Sequence, residues 1–173
     1  MVTPPRKKTA PSLAVSESDD EVILATQTLR RFRMVFNAVK THFQHVEKRA
    51  GIGGAQMWAL SVVRDHPGIG VGELARAMDV HQSTASNLVK SLVERGMIST
   101  SKDGVDRRAL RLKVMAAGSK VLSRSPGPFT GVLPEALKAL DTRTLKRLNT
   151  DLDKLLTLLQ TDDSAAMIPL AEL

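Results

Sequence analysis

No cysteine occurs in the 173 residues, which excludes disulfides, thiolate-bound zinc, a thiol nucleophile and thiol-based redox sensing. Aromatic residues make up 3%, as one Trp, four Phe and no Tyr. That is too little for the ring platforms on which single-stranded nucleic acid is stacked. The longest uncharged apolar-leaning run, Ala50 to Val63, contains Gly51, Gly53 and Gly54 and falls short of the about 20 residues a spanning helix needs. Arg6, Lys7 and Lys8 are followed by Pro, Ser and Ala rather than by an apolar stretch, so no signal peptide is read there. No membrane partner is expected, and a cytoplasmic location is the default. Catalysis lacks its parts too. Four scattered His, no cluster of nucleophile, His and carboxylate, and no Gly-rich phosphate loop leave nothing to meet the geometric demands of an active site. Neither an enzyme nor a bound cofactor or metal is expected.

What is present is a core and a positive charge. Hydrophobic residues reach 42%, enough for one domain of this length. Twenty-five Lys and Arg against 18 Asp and Glu leave +7, with a pI near 10.1, which makes a polyanion the first partner to consider. The excess is local. Residues 74–124 carry ten Lys and Arg against four Asp and Glu, a net +6.

Periodicity divides the chain. Residues 1–17, with Pro4, Pro5 and Pro11, read as a disordered basic tail. Ser18 with Glu21 forms a capping box, and the stripe Ala25, Leu29, Phe32, Phe36, Val39, Phe43, Val46 then recurs at alternating spacings of four and three, a heptad pattern. A helix of about 30 residues is about 45 Å long, so part of this stripe calls for cover by another chain. A second helix follows over Ala55 to His66, ended by Pro67-Gly68. Its Trp58 reads as core first and as a pocket residue second.

Val71 to Met78 and Gln82 to Arg95 are two amphipathic helices separated by Asp79-Val80 and stopped by Gly96, the pattern of a helix-turn-helix. The second buries Ala85, Leu88, Val89 and Leu92 and leaves Gln82, Ser83, Thr84, Ser86, Asn87 and Lys90 outside. These are short hydrogen-bonding side chains, where a merely solvated face would mix Glu with Lys. The period then changes. Met97-Ile98 opens a strand, Lys102-Asp103-Gly104 turns it, and Leu110, Leu112 and Val114 alternate with Arg111 and Lys113 on the way back. Ala116 to Arg124, Pro134 to Leu140 and a last helix capped by Asp141, with Leu145, Leu148, Leu152, Leu155, Leu156 and Leu159, complete the helices. Residues 161–173 read as a tail.

Glu73-Leu74-Ala75, Gln82 through Val89, Leu92 through Gly96, and Asp106-Arg107-Arg108-Ala109 before Leu112 and Val114 together resemble the MarR family of winged helix-turn-helix transcriptional regulators. The Asp-x-Arg at this distance from Gly96 is the specific part. The resemblance covers about residues 20–160. Two departures are Met115 where relatives commonly place a capping Thr, and the break Ser125-Pro126-Gly127-Pro128 in a helix many relatives keep continuous.

The expected fold is therefore mainly α, a winged helix-turn-helix with a two-stranded β-hairpin wing and terminal helices forming a dimerisation region. Within a single domain of residues 18–160, 18–50 and 129–160 dimerise and 54–124 form the DNA-binding core. DNA contacts are expected from Gln82, Ser83, Thr84, Ser86, Asn87, Lys90, Lys102, Arg107 and Arg108, with Asp106 orienting the wing. The seam is expected from Leu29, Phe32, Phe36, Val39, Phe43, Leu148, Leu152, Leu155 and Leu159. The resemblance implies a homodimer on a palindromic operator, acting as a repressor, and release by a small aromatic effector, for which Trp58 and His42 are the candidates. Two other functions fit parts of the pattern. An architectural protein without sequence preference would need only the charge. A protein-docking winged helix would need large apolar residues on the outer face between Gln82 and Lys90, and that face has none.

Overall fold

The computed structural model describes residues 18–102, 110–125 and 127–172. The basic tail 1–17, the wing tip with Asp106, Arg107 and Arg108, and Pro126 lie outside the described residues, as do the side chains of Lys102 and Asp163. The chain divides within its first helix, into a unit ending at Met34 and a unit of Val35–Leu173.

In the first unit the helix α1 (Asp19–Ala50) begins. Its capping box forms: the Glu21 amide donates to Ser18 Oγ at 3.3 Å and the Ser18 amide to Glu21 Oε2 at 3.2 Å. Asp19, Asp20 and Glu21 in the first turn face the positive end of the helix dipole. Val22, Ile23, Leu24, Leu29 and Met34 are all exposed.

In the second unit α1 ends at Gly51, which takes φ +71, a left-handed conformation that glycine adopts without steric cost. The helices α2 (Gly54–Asp65), α3 (Val71–Met78) and α4 (Gln82–Glu94) follow. The α3–α4 turn closes through Asp79 at φ 51 and a bond of 3.0 Å from the Val80 amide to the Ala75 carbonyl. Val80 is buried and plugs the turn. Strands β1 (Ile98–Lys102) and β2 (Leu110–Val114) pair antiparallel, Ile98 opposite Val114 and Thr100 opposite Leu112. The segment before α3 is bonded to β2: the Gly68 amide donates to the Leu112 carbonyl at 2.8 Å and the Leu112 amide to the Ile69 carbonyl at 3.1 Å. Leu60, Leu74, Met78, Ala85, Leu92, Ile98 and Leu112 form one core beneath all of these elements.

α5 (Ala116–Arg124) starts at Met115 without a side-chain cap, as the departure from Thr implies. Its Gly118 is constrained. A Cβ there would lie 2.5 Å from the Met97 carbonyl oxygen and 3.0 Å from Leu60 Cδ1 and Val114 Cγ1. Alanine gains about 1 kcal/mol over glycine in a helix, but overpacking against fixed backbone costs about 1–3 kcal/mol. Gly118→Ala should therefore destabilise the chain by on the order of 1 kcal/mol in denaturant melts; an unchanged or raised midpoint would show that the junction of wing and α5 yields.

α6 (Val132–Lys138) begins two residues before the expected Pro134, because a first-turn proline lacks only an amide that has no partner in the helix anyway. α7 (Thr142–Leu159) is capped by Asp141, which accepts from the Thr144 amide at 2.9 Å. The bonds from Thr144 hold the Asp141 carboxyl below its ordinary range. No α7 residue is buried, and Leu158 is 80% exposed. Beyond it lies the segment read from the sequence as a tail. Asp163–Met167 and Leu170–Glu172 are short 3-10 helices, with Pro169 buried and Ala171 packed against the core. The polar Thr161-Asp162-Asp163 marks the end of α7, and order resumes because apolar residues after it find a groove. None of the described helices is long and apolar enough to cross a membrane.

Candidate nucleic-acid interface

The exposed face of α4 is the face read from the sequence. Ala85, Leu88, Val89 and Leu92 are buried, while Gln82, Ser83, Ser86, Asn87 and Lys90 are exposed and Thr84 is half-buried. Ser83, Asn87 and Lys90 follow at four and three residues, which aligns them along one side of the helix. The Ser86 hydroxyl donates to the Gln82 carbonyl at 2.7 Å. Its proton is used locally, so only its lone pairs face outward.

Two polar links set the helix on its support. Gln56 accepts from the Gly53 amide at 3.2 Å and donates from Nε2 to Ser91 Oγ at 2.8 Å. Arg95, at the end of α4, donates to the Gly51 carbonyl at 3.1 Å. On β2, Arg111 donates to the Gly68 carbonyl at 3.2 Å. These guanidinium groups contribute to the positive field while part of their donor set is directed into the fold. Arg76, which the sequence reading does not single out, lines a hollow of about 350 Å³ together with His81 and Gln82 at the start of α4. Its signal was available, since it stands on the exposed side of the short helix that buries Leu74, Ala75 and Met78. His81 occupies the N-cap position without a side-chain bond.

The wing ladder runs out to Lys102 and Leu110. The expected contacts Arg107 and Arg108, and the orienting Asp106, lie beyond it, outside the described residues.

The seam residues separate into two groups. Leu29 and Phe36 are exposed, Phe32 is half-buried, and on α7 Leu148, Leu152 and Leu155 are half-buried with Leu159 exposed. Val39 instead is only 6% exposed within its own chain. The Phe43 ring rests on glycines: a Cβ on Gly54 would come 2.2 Å from Phe43 Cδ1, and one on Gly131 2.9 Å from Cζ. Val39 and Phe43 thus make contacts within their own chain, where the later part of the stripe meets a glycine-lined surface.

The two effector candidates are not brought together. His42 Nε2 donates to the Pro128 carbonyl at 3.0 Å and borders a basic hollow with His45, Lys48 and Arg49. Trp58 borders a different, apolar cleft with Phe43, Met78 and Val80. Among the described residues no group of three His, Asp or Glu could hold a metal.

A family model described as MarR family matches residues 50–109, from the end of α1 to the wing. Over these residues the chain is similar to the MarR family. Over 65 residues the chain is 35% identical to a protein of Thauera aromatica named as a transcriptional regulatory protein for the hcr operon, which is 38% of this chain and 39% of that protein. The fold is similar to that in the MepR–DNA complex of S. aureus, at 22% identity over 75% of this chain and 96% of that one with a TM-score of 0.54. BldR of Sulfolobus solfataricus, a transcriptional regulator, is similar at 20% identity over 80% of this chain and 96% of its own, with a TM-score of 0.50.

Proposed function

We propose that this MarR-family chain is a sequence-specific DNA-binding transcriptional regulator that represses from a palindromic operator as a cytoplasmic homodimer. The observation that carries the reading is the exposed face of α4. Gln82, Ser83, Asn87 and Lys90 stand out from a buried scaffold, in the region that holds +6 of the chain's +7. Asn and Gln offer paired donor and acceptor groups matching the major-groove edge of adenine. Ser83, Thr84 and Lys90 suit phosphate oxygens. Asp106 and Arg108 are two residues apart in sequence, a spacing that would set them on one side of a strand continued to them. That placement lets Asp106 orient Arg108 toward a narrow A·T-rich minor groove, while Arg107 and Lys102 meet backbone. The exposed apolar residues of α1 and α7 support the dimer, and the cleft beside Trp58, about 180 Å³, supports release by a small aromatic effector.

Selection of binding sequences from a random duplex pool, followed by footprinting, tests the reading. Two half-sites about one helical turn, ~10 base pairs, apart are expected, with affinity falling steeply as salt rises because many counterions are displaced. Equal affinity for selected and scrambled duplexes would give the architectural reading instead. A footprint on a single half-site would contradict the dimeric arrangement.

A further inference from the structure

The segment after α7 combines three features that the DNA-binding reading does not use. Residues 161–172 contain Asp162, Asp163 and Glu172 and no Lys or Arg, in a chain that is otherwise strongly basic. The Ser164 hydroxyl and amide bond Asp162 and hold its carboxyl below the ordinary range, so it is ionised at neutral pH.

The segment also lies on the helix-turn-helix. Ile168 and Leu170 line the cleft that Met78 and Val80 form with Trp58. Ala171 abuts Gly54, where a Cβ would come within 3.0 Å of its own. Met167 borders the hollow shared by Arg76, His81 and Gln82 at the start of α4. An acidic segment therefore reaches the end of the helix that carries the candidate base contacts.

Finally, the attachment is weak. Each hydrogen bond described for residues 163–172 stays within 162–172. Ile168 and Leu170 keep 46% and 37% of their surface exposed. Ala171 joins the main core at its edge and Pro169 is buried, so the anchor is two small apolar side chains.

We propose that residues 163–172 are a releasable autoinhibitory strap that docks beside Trp58 and opposes DNA at the start of α4. The strap rests on the DNA-binding reading above. It lowers affinity by placing Met167 at the reading end of the helix, in the hollow shared with Arg76, His81 and Gln82. DNA binding and strap docking are then mutually exclusive, and each weakens the other by the same factor.

Two substitutions in the full chain, Ala171→Asp and Pro169→Asp, test this by placing a charge in the apolar contact, with Ala171→Ser as the control. The probe is the duplex of about 30 base pairs selected from the random pool, long enough for two half-sites. Both Asp variants should bind it at least about threefold more tightly than the unaltered chain, because Met167 then no longer occupies the start of α4. Trp58, the sole Trp, should shift its emission to longer wavelength in both, and in the unaltered chain when the duplex is added. Equal or weaker binding by folded variants, or an emission that does not move, overturns the strap while leaving DNA binding standing. Failure of both variants to fold also overturns it, since the segment would then be part of the core. If neither the unaltered chain nor the variants bind the duplex, the DNA-binding reading falls and the strap with it.

Discussion

Leu29→Asp should leave the chain monomeric at micromolar concentration, with sedimentation giving 18.8 kDa where the unaltered chain gives twice that mass. Leu29 is 50% exposed, so its own chain loses little when it is changed. In a dimer seam the same side chain is enclosed, and an unpaired charge buried there costs about 3–5 kcal/mol. DNA affinity should fall with the dimer by a hundredfold or more, since about 3 kcal/mol is a factor of roughly 150 and a monomer reaches one half-site. Leu29→Met should retain both mass and affinity. A dimeric Leu29→Asp chain would remove the α1 stripe from the interface. Phe43→Asp would not discriminate, because that ring packs on Gly54 and Gly131 of its own chain.

Asn87→Ala should weaken binding to the selected duplex by about 1–3 kcal/mol, the worth of one bidentate base contact, and leave scrambled duplex nearly unaffected. Asn87 is exposed and buries nothing, so melting should not change. Its neighbours differ in role. Lys90→Ala should reduce affinity for both duplexes alike, as loss of a phosphate contact does. Equal losses on both duplexes for Asn87→Ala would assign it to the backbone instead and move base reading to Gln82.

Much of the helix-turn-helix was legible because its signals are local. The Leu74, Ala75, Met78 and Ala85, Leu88, Val89, Leu92 spacings state which side of each helix is buried, and Gly51 and Gly96 end helices where positive φ is required. The outer face of α4 follows from the same spacings by elimination. The capping boxes at Ser18 and the cap at Asp141 are likewise decided within three residues. Such features depend on neighbours in sequence, and a chain pattern contains them in full.

Other features depend on what lies opposite, and only the tertiary structure decided them. The α1 heptads are the same for Leu29, Val39 and Phe43, yet Leu29 is exposed, Val39 is buried and Phe43 rests on two glycines of other elements. Arg95 and Arg111 read as surface charge until their donors are seen on the carbonyls of Gly51 and Gly68, each more than 40 residues away in sequence. Residues 163–172 have no periodicity and an acidic, polar start, so composition makes them a tail. The cleft made by Trp58, Met78 and Val80 gives their few apolar side chains a surface to cover, and contact between segments this distant in sequence is written in no local pattern.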